Sequence, residues 1–93
     1  MLEVKRGYFV QSLAGHDKGK IYIIEDIKGE YVYLVDGKYK LLDSPKKKSK
    51  KHIQITYKID EELEKKLSSG LTVRDEDIKK AIKHYVNEFN SKK

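Results

Sequence analysis

The side chains best equipped for chemistry in this chain are cations, and they come in two groups. The first is Gly15-His16-Asp17-Lys18-Gly19, a short charged loop between apolar runs. Its two glycines permit left-handed backbone at either end, and bare glycine lets a ligand come close to the main chain. Lys18 supplies a charge and His16 a donor. The second group is Lys46, Lys47, Lys48, Lys50 and Lys51, followed by His52. Ammonium groups at this density are point charges suited to phosphates, with little power to read bases. Each phosphate they neutralise releases counterions, so binding of this kind weakens as salt rises. A solvated charge run or a localisation signal is the bland reading of the same tract.

Other chemistries lack their parts. Cysteine is absent, which excludes disulfides and thiolate metal sites. His16, His52 and His84 are far apart and have no metal-ligand spacing. Ser12, Ser44 and Ser49 have no nucleophile motif around them, no P-loop occurs, and Asp17 reads as a turn residue that accepts backbone N–H bonds. The expectation is a protein that is not an enzyme and takes no cofactor, metal or small-molecule substrate. The seven tyrosines are a separate resource, because exposed ring faces stack on unpaired bases. Most tyrosines on strands are half-buried with the hydroxyl at the surface. Tyr8 and Tyr39 lie nearest to loops, and Tyr85 falls on a helical apolar stripe.

Charge is unevenly placed. Residues 1–58 hold thirteen Lys/Arg and seven Asp/Glu, or 13 − 7 = +6, whereas residues 59–93 hold eight of each. The whole net charge of +6 therefore lies in the part that carries both cation groups, as expected for an anionic partner. No apolar run approaches the roughly 20 residues that span a bilayer, and the start, Met1-Leu2-Glu3-Val4-Lys5-Arg6, lacks the apolar stretch of a secretory leader. These features point to a cytoplasmic protein without a membrane partner.

Short strands must position the cations. Tyr8–Leu13, Lys20–Ile27, Tyr31–Val35, Lys38–Leu42 and His52–Tyr57 are rich in aromatic and β-branched residues or alternate in polarity. Asp36-Gly37 predicts a tight hairpin between the third and fourth. Asp43–Lys51, with Pro45 and mutually repelling lysines, reads as an exposed loop. Five short strands with tight turns suggest a small barrel over residues 1–58. After Tyr57 the period becomes helical. Asp60 caps a helix over Glu61–Ser68 that Gly70 ends. A second helix starts near Thr72, with Thr72 and Asp75 as a capping box. Ile78, Ala81, Ile82, Tyr85, Val86 and Phe89 form its apolar stripe, and Asn90–Lys93 should fray. Residues 59–93 are thus a helical extension packed on the barrel. The fold class is mainly β with a helical tail.

The segment Gly7–Ile27, through Gly7, Val10, Gly15, Asp17, Lys18, Gly19 and Ile24, resembles the KOW motif of ribosomal proteins and transcription elongation factors. Over nearly all of residues 7–86 the chain is similar to bacterial KOW-domain RNA-binding proteins, relatives of the archaeal and eukaryotic large-subunit ribosomal protein fourteen-e. Asp36-Gly37, Pro45-Lys46-Lys47-Lys48 and Lys51-His52-Ile53-Gln54 carry that likeness. Tyr22 departs from it, since many such motifs have there a glycine that lets RNA or a strand approach. The resemblance implies an SH3-like barrel and RNA binding in the translation apparatus, with structured, chiefly ribosomal RNA as partner and ribosomal proteins as possible neighbours. Gly15, His16, Lys18, Gly19, Lys46, Lys47, Lys48, Lys50, Lys51 and His52 would face the RNA, with Lys5, Arg6, Lys38 and Lys40 as further phosphate contacts. The competing reading is an SH3-like protein-interaction module in transcription or translation. Duplex DNA has no helix suited to a groove, because the better helix is neutral in sum.

Overall fold

The structure, a computed structural model, describes residues 3–91. Met1 and Leu2, part of the stretch read for a leader, and Lys92 and Lys93, part of the expected frayed end, lie outside them, as does the side chain of Phe89. Five strands, β1 (Phe9–Ser12), β2 (Ile21–Lys28), β3 (Tyr31–Val35), β4 (Lys46–Ser49) and β5 (Ile53–Ile55), form one antiparallel sheet in the order β4-β3-β2-β1-β5. Two helices follow, α1 (Glu61–Ser69) and α2 (Asp75–Ser91). The chain is thus mainly β with a helical tail.

No ladder joins β4 to β5 among the described residues, so the sheet is open. Its edges are nevertheless drawn together. Four strand spacings of about 4.8 Å would hold the edges of a flat sheet about 19 Å apart. The connection between them is a single 3-10 turn, Lys50–His52, which advances about 6 Å. The sheet therefore curls. Its register shift between Ile24 and Asp26 assists, since a bulge bends a strand and increases its twist.

Curling gives the sheet two apolar faces. The inner one gathers Val10, Tyr22, Ile24, Val32, Leu34 and Ile53. The outer one places Phe9, Ile23 and Val35 under Leu63, Ile78 and Ala81 of the helices. The alternation of Val32 and Leu34 against Tyr31, Tyr33 and Val35 maps onto these faces as expected. Phe9 stacks on Tyr85 with ring centres 4.3 Å apart, which ties α2 to β1.

Three expectations are corrected. Lys38–Leu42 is not a strand, and Asp36-Gly37 does not make a two-residue hairpin. The Asp36 carboxylate instead accepts the N–H groups of Lys38, Tyr39 and Lys40 at 2.8–2.9 Å, a side-chain turn that outcompetes a ladder. The fourth strand is Lys46–Ser49, in the segment read as an exposed loop, with Pro45 just ahead of it, a position where a missing N–H costs no ladder bond. Finally, α2 begins at Asp75 rather than near Thr72. Its first turn is closed by Asp77, which accepts the Arg74 N–H at 2.9 Å, while Asp75 accepts the Leu42 N–H at 2.8 Å. Helix α1 starts and stops as expected, with Asp60 accepting from Leu63 N and Gly70 left-handed at φ 71°.

Gly37 shows how closely the turn and α2 fit. Its φ is +77°, and a Cβ there would run into the Asp75 carbonyl oxygen and the Lys79 nitrogen. Gly29, at φ +60°, has open space. Gly37→Ala is expected to cost clearly more than about 1 kcal/mol and more than Gly29→Ala. Urea denaturation of the two variants checks this, and equal midpoints would contradict the packing described.

Candidate nucleic-acid interface

Alternation along β4 sorts the lysine run. Lys46 pairs across the sheet with Leu34 and Lys48 with Val32. Directly opposed residues share a face, so these two side chains enter the inner face. Lys47 lies opposite Tyr33 on the outer face, with its ammonium 4.3 Å from the centre of the Tyr31 ring.

The inward lysines meet Asp17. The Gly15–Gly19 loop folds back on itself through Gly19 N–H to Ser12 O at 2.8 Å and Lys20 N–H to Asp17 O at 2.9 Å. Gly15 and Gly19 lie at φ +86° and +91°, values that favour glycine. This path buries Asp17 at 7% exposure. One carboxylate oxygen accepts the Lys48 ammonium at 2.7 Å and the Ser12 hydroxyl at 2.8 Å. The other accepts Lys46 at 2.6 Å and the Tyr22 hydroxyl at 3.0 Å. Lys48 spends its remaining N–H groups on Ser12 Oγ at 2.6 Å and Ala14 O at 2.8 Å. An ammonium has three donors, and all three are used. Asp17 therefore does not act as the turn residue expected from the sequence: its partners are side chains.

Burial alone would raise the Asp17 carboxyl above its usual range, but the bonds from Lys46, Lys48, Ser12 and Tyr22 outweigh it and hold the group well below that range. Tyr22 moves the other way. Burial, then its bond to the Asp17 carboxylate, pushes the phenol above its ordinary value, so the hydroxyl remains a donor.

The structure therefore brings the two cation groups together but divides their roles. Lys48 is turned inward with its side chain 9% exposed, and Lys46 is half-committed at 32%. Lys47, Lys51 and His52 are exposed and Lys50 is half-buried. These four line a groove of about 740 Å³ with Tyr31 and Glu30, and Lys46 and Lys48 contribute to its wall as well. Gly15, His16, Lys18 and Gly19 are exposed on the loop, and a Cβ added at Gly15 would stand 3.6 Å from Asp17 Oδ1 and 4.0 Å from the Lys48 ammonium. Of the further phosphate candidates, Arg6 is engaged by Glu25 at 3.1 Å.

Sequence reasoning missed Ser12, Tyr22 and Tyr31. Ser12 and Tyr22 each stand five residues from Asp17 on the two flanking strands, the only signal available. It also treated α2 as neutral. In space, Lys80 pairs with Glu62 at 3.3 Å and His84 faces Asp60 at 3.7 Å, while Lys79 and Lys83 line a different cleft, beside Gly19 and Lys38. Among the described residues, no group of three or more His, Asp or Glu is arranged to hold a metal ion, and no helix is long and apolar enough to cross a membrane. No protein-family model and no curated protein matches the chain significantly.

Removing one partner of a buried pair strands the other, at about 3–5 kcal/mol, whereas replacing both by apolar groups is far milder. Asp17→Asn is expected to destabilise on that scale, and Asp17→Leu with Lys48→Met to recover much of the loss. The acid limb gives a second readout. The folded Asp17 pKa is depressed, so its contribution is complete above the unfolded value of about 3.9 and is lost as pH falls toward the folded one. Urea midpoints measured between about pH 5 and pH 2 should fall more steeply for the native chain than for the double variant.

Proposed function

We propose that the protein binds structured RNA of the translation apparatus, ribosomal RNA foremost, through phosphate-directed lysines beside a KOW-type loop. The observation that carries this reading is the groove formed by Lys47, Lys50, Lys51, His52 and Tyr31. Lys46 and Lys48 also line it and are held by Asp17, but among the described residues no carboxylate pairs with Lys47, Lys50 or Lys51, and Glu30 is the one acid in the described lining. The loop that supplies His16 and Lys18 is pinned to the same strand through Asp17. A rigid array of this kind holds duplex RNA by shape and phosphates, without base reading. The curled sheet, with its 3-10 turn between edge strands, is read as an SH3-like barrel of the KOW type, and the protein as a binding module rather than an enzyme.

The inward–outward split makes the test sharp. Binding to a fragment of ribosomal RNA should weaken steeply with added salt. Lys47→Glu, Lys50→Glu and Lys51→Glu combined should lower affinity at least about ten-fold and flatten that salt dependence, with the thermal midpoint little changed. Lys48→Glu should unfold the protein instead, because it places a carboxylate against Asp17. Salt-insensitive binding, or a triple variant of native affinity, would favour a protein-interaction module.

A further inference from the structure

Between β2, the Asp36–Lys40 turn and the later turns of α2 lies a cleft of about 630 Å³, a size that suits a small ligand. Its walls are largely carbon, from Ile21, Ile82, Tyr85, Val86 and the ring of Tyr39. Tyr39 is 68% exposed, more than any other large hydrophobic residue described. It is nevertheless not on a loose loop, because the Asp36 carboxylate clamps the turn at Lys38, Tyr39 and Lys40.

Four exposed lysines, Lys20, Lys38, Lys79 and Lys83, also line the cleft. Among the described residues Asp36 is the only acid in the lining, and it is occupied by the three N–H groups of its turn and by Lys20 at 3.5 Å. Among the described residues, Lys38, Lys79 and Lys83 have no carboxylate in ion-pair reach. The ammonium groups of Lys20 and Lys38 lie 5.1 and 5.0 Å from the centre of the Tyr39 ring. A slot with an aromatic wall and several surrounding cations suits a chain of phosphates carrying a flat apolar group. One carboxylate head would leave most of that charge unanswered. The cleft also reaches Gly19, at the foot of the Gly15–Gly19 loop.

The geometry points to a subsite for unpaired nucleotides: a base enters this cleft against Tyr39 while its flanking phosphates meet Lys38, Lys79 and Lys83. This inference rests on the RNA-binding reading and extends it, by adding a place where an unpaired segment next to a duplex is held through its bases. Stacking on a tyrosine is tolerant of base identity, so the subsite selects unpaired RNA rather than a sequence.

Three probes separate the two readings. They are a short RNA duplex, the same duplex with an overhang of three adenosines, and the same duplex with an overhang of three abasic residues, which keeps the phosphates and removes the bases. The adenosine overhang is expected to bind at least about five-fold tighter than the abasic one. Tyr39→Ala, at an exposed position, should abolish that ratio and leave affinity for the plain duplex unchanged. Lys79→Glu with Lys83→Glu should weaken both overhang probes and spare the plain duplex. Equal affinity for the two overhangs would overturn the subsite while leaving the phosphate reading intact. No binding to any probe would overturn both. Tyr39-dependent binding of an acidic amphipathic peptide, with no difference between adenosine and abasic overhangs, would assign the cleft to a protein partner and also overturn the subsite.

Discussion

The contact between Asp17 and Lys48 is the constraint on which the rest of the architecture depends. A buried carboxylate and a buried ammonium are each costly alone and tolerable together when every lone pair and proton is satisfied. Here the satisfaction is complete, with Ser12, Tyr22, Lys46 and the Ala14 carbonyl taking the remaining positions. Each partner comes from a different piece of chain: Asp17 from a glycine-bounded loop, Lys48 from an edge strand, Tyr22 from the middle of the sheet. One cluster therefore sets the loop's conformation, docks β4 and closes the inner apolar face. It also answers how a lysine-rich segment can be a strand at all, since one carboxylate bridges two ammonium groups that would otherwise repel each other, and the remaining positive charge is left with the half-exposed Lys46.

A consequence is that formal charge overstates the charge on offer. The run from Lys46 to Lys51 looks like a uniform cation tract, but strand alternation spends Lys46 and Lys48 on structure and leaves Lys47, Lys50 and Lys51 at the surface. The helices show the converse. The charges of residues 59–93 sum to zero, yet pairing along one flank of α2, through Lys80 and His84, leaves Lys79 and Lys83 on the other without a carboxylate partner among the described residues. The placement of charge, rather than its total, defines the surfaces that can meet an anion.

Much of this was legible in the sequence where a local rule has no competitor. The β3 alternation assigned Val32 and Leu34 to one face, and Asp60 with Gly70 marked both ends of α1. The failures share one cause: a side chain spent on a partner that local pattern does not show. Asp36-Gly37 has the composition of a hairpin turn, but the Asp36 carboxylate captures three N–H groups, and Gly37 is needed where α2 presses on the turn. Lysines at β4 hide the alternation, because the same residue type occupies both faces. Asp17 resembles any turn aspartate until β4 supplies its partners from about thirty residues away.

The most direct test of this account is nitrogen-resolved NMR of the lysine side chains, free and with an RNA duplex. The account predicts that the Lys48 ammonium gives a slowly exchanging signal in the free protein, lost on Asp17→Asn and unmoved by RNA. The ammonium groups of Lys47, Lys50 and Lys51 should exchange rapidly and shift as RNA is added. A Lys48 signal that exchanges as fast as the others and shifts with them would contradict it.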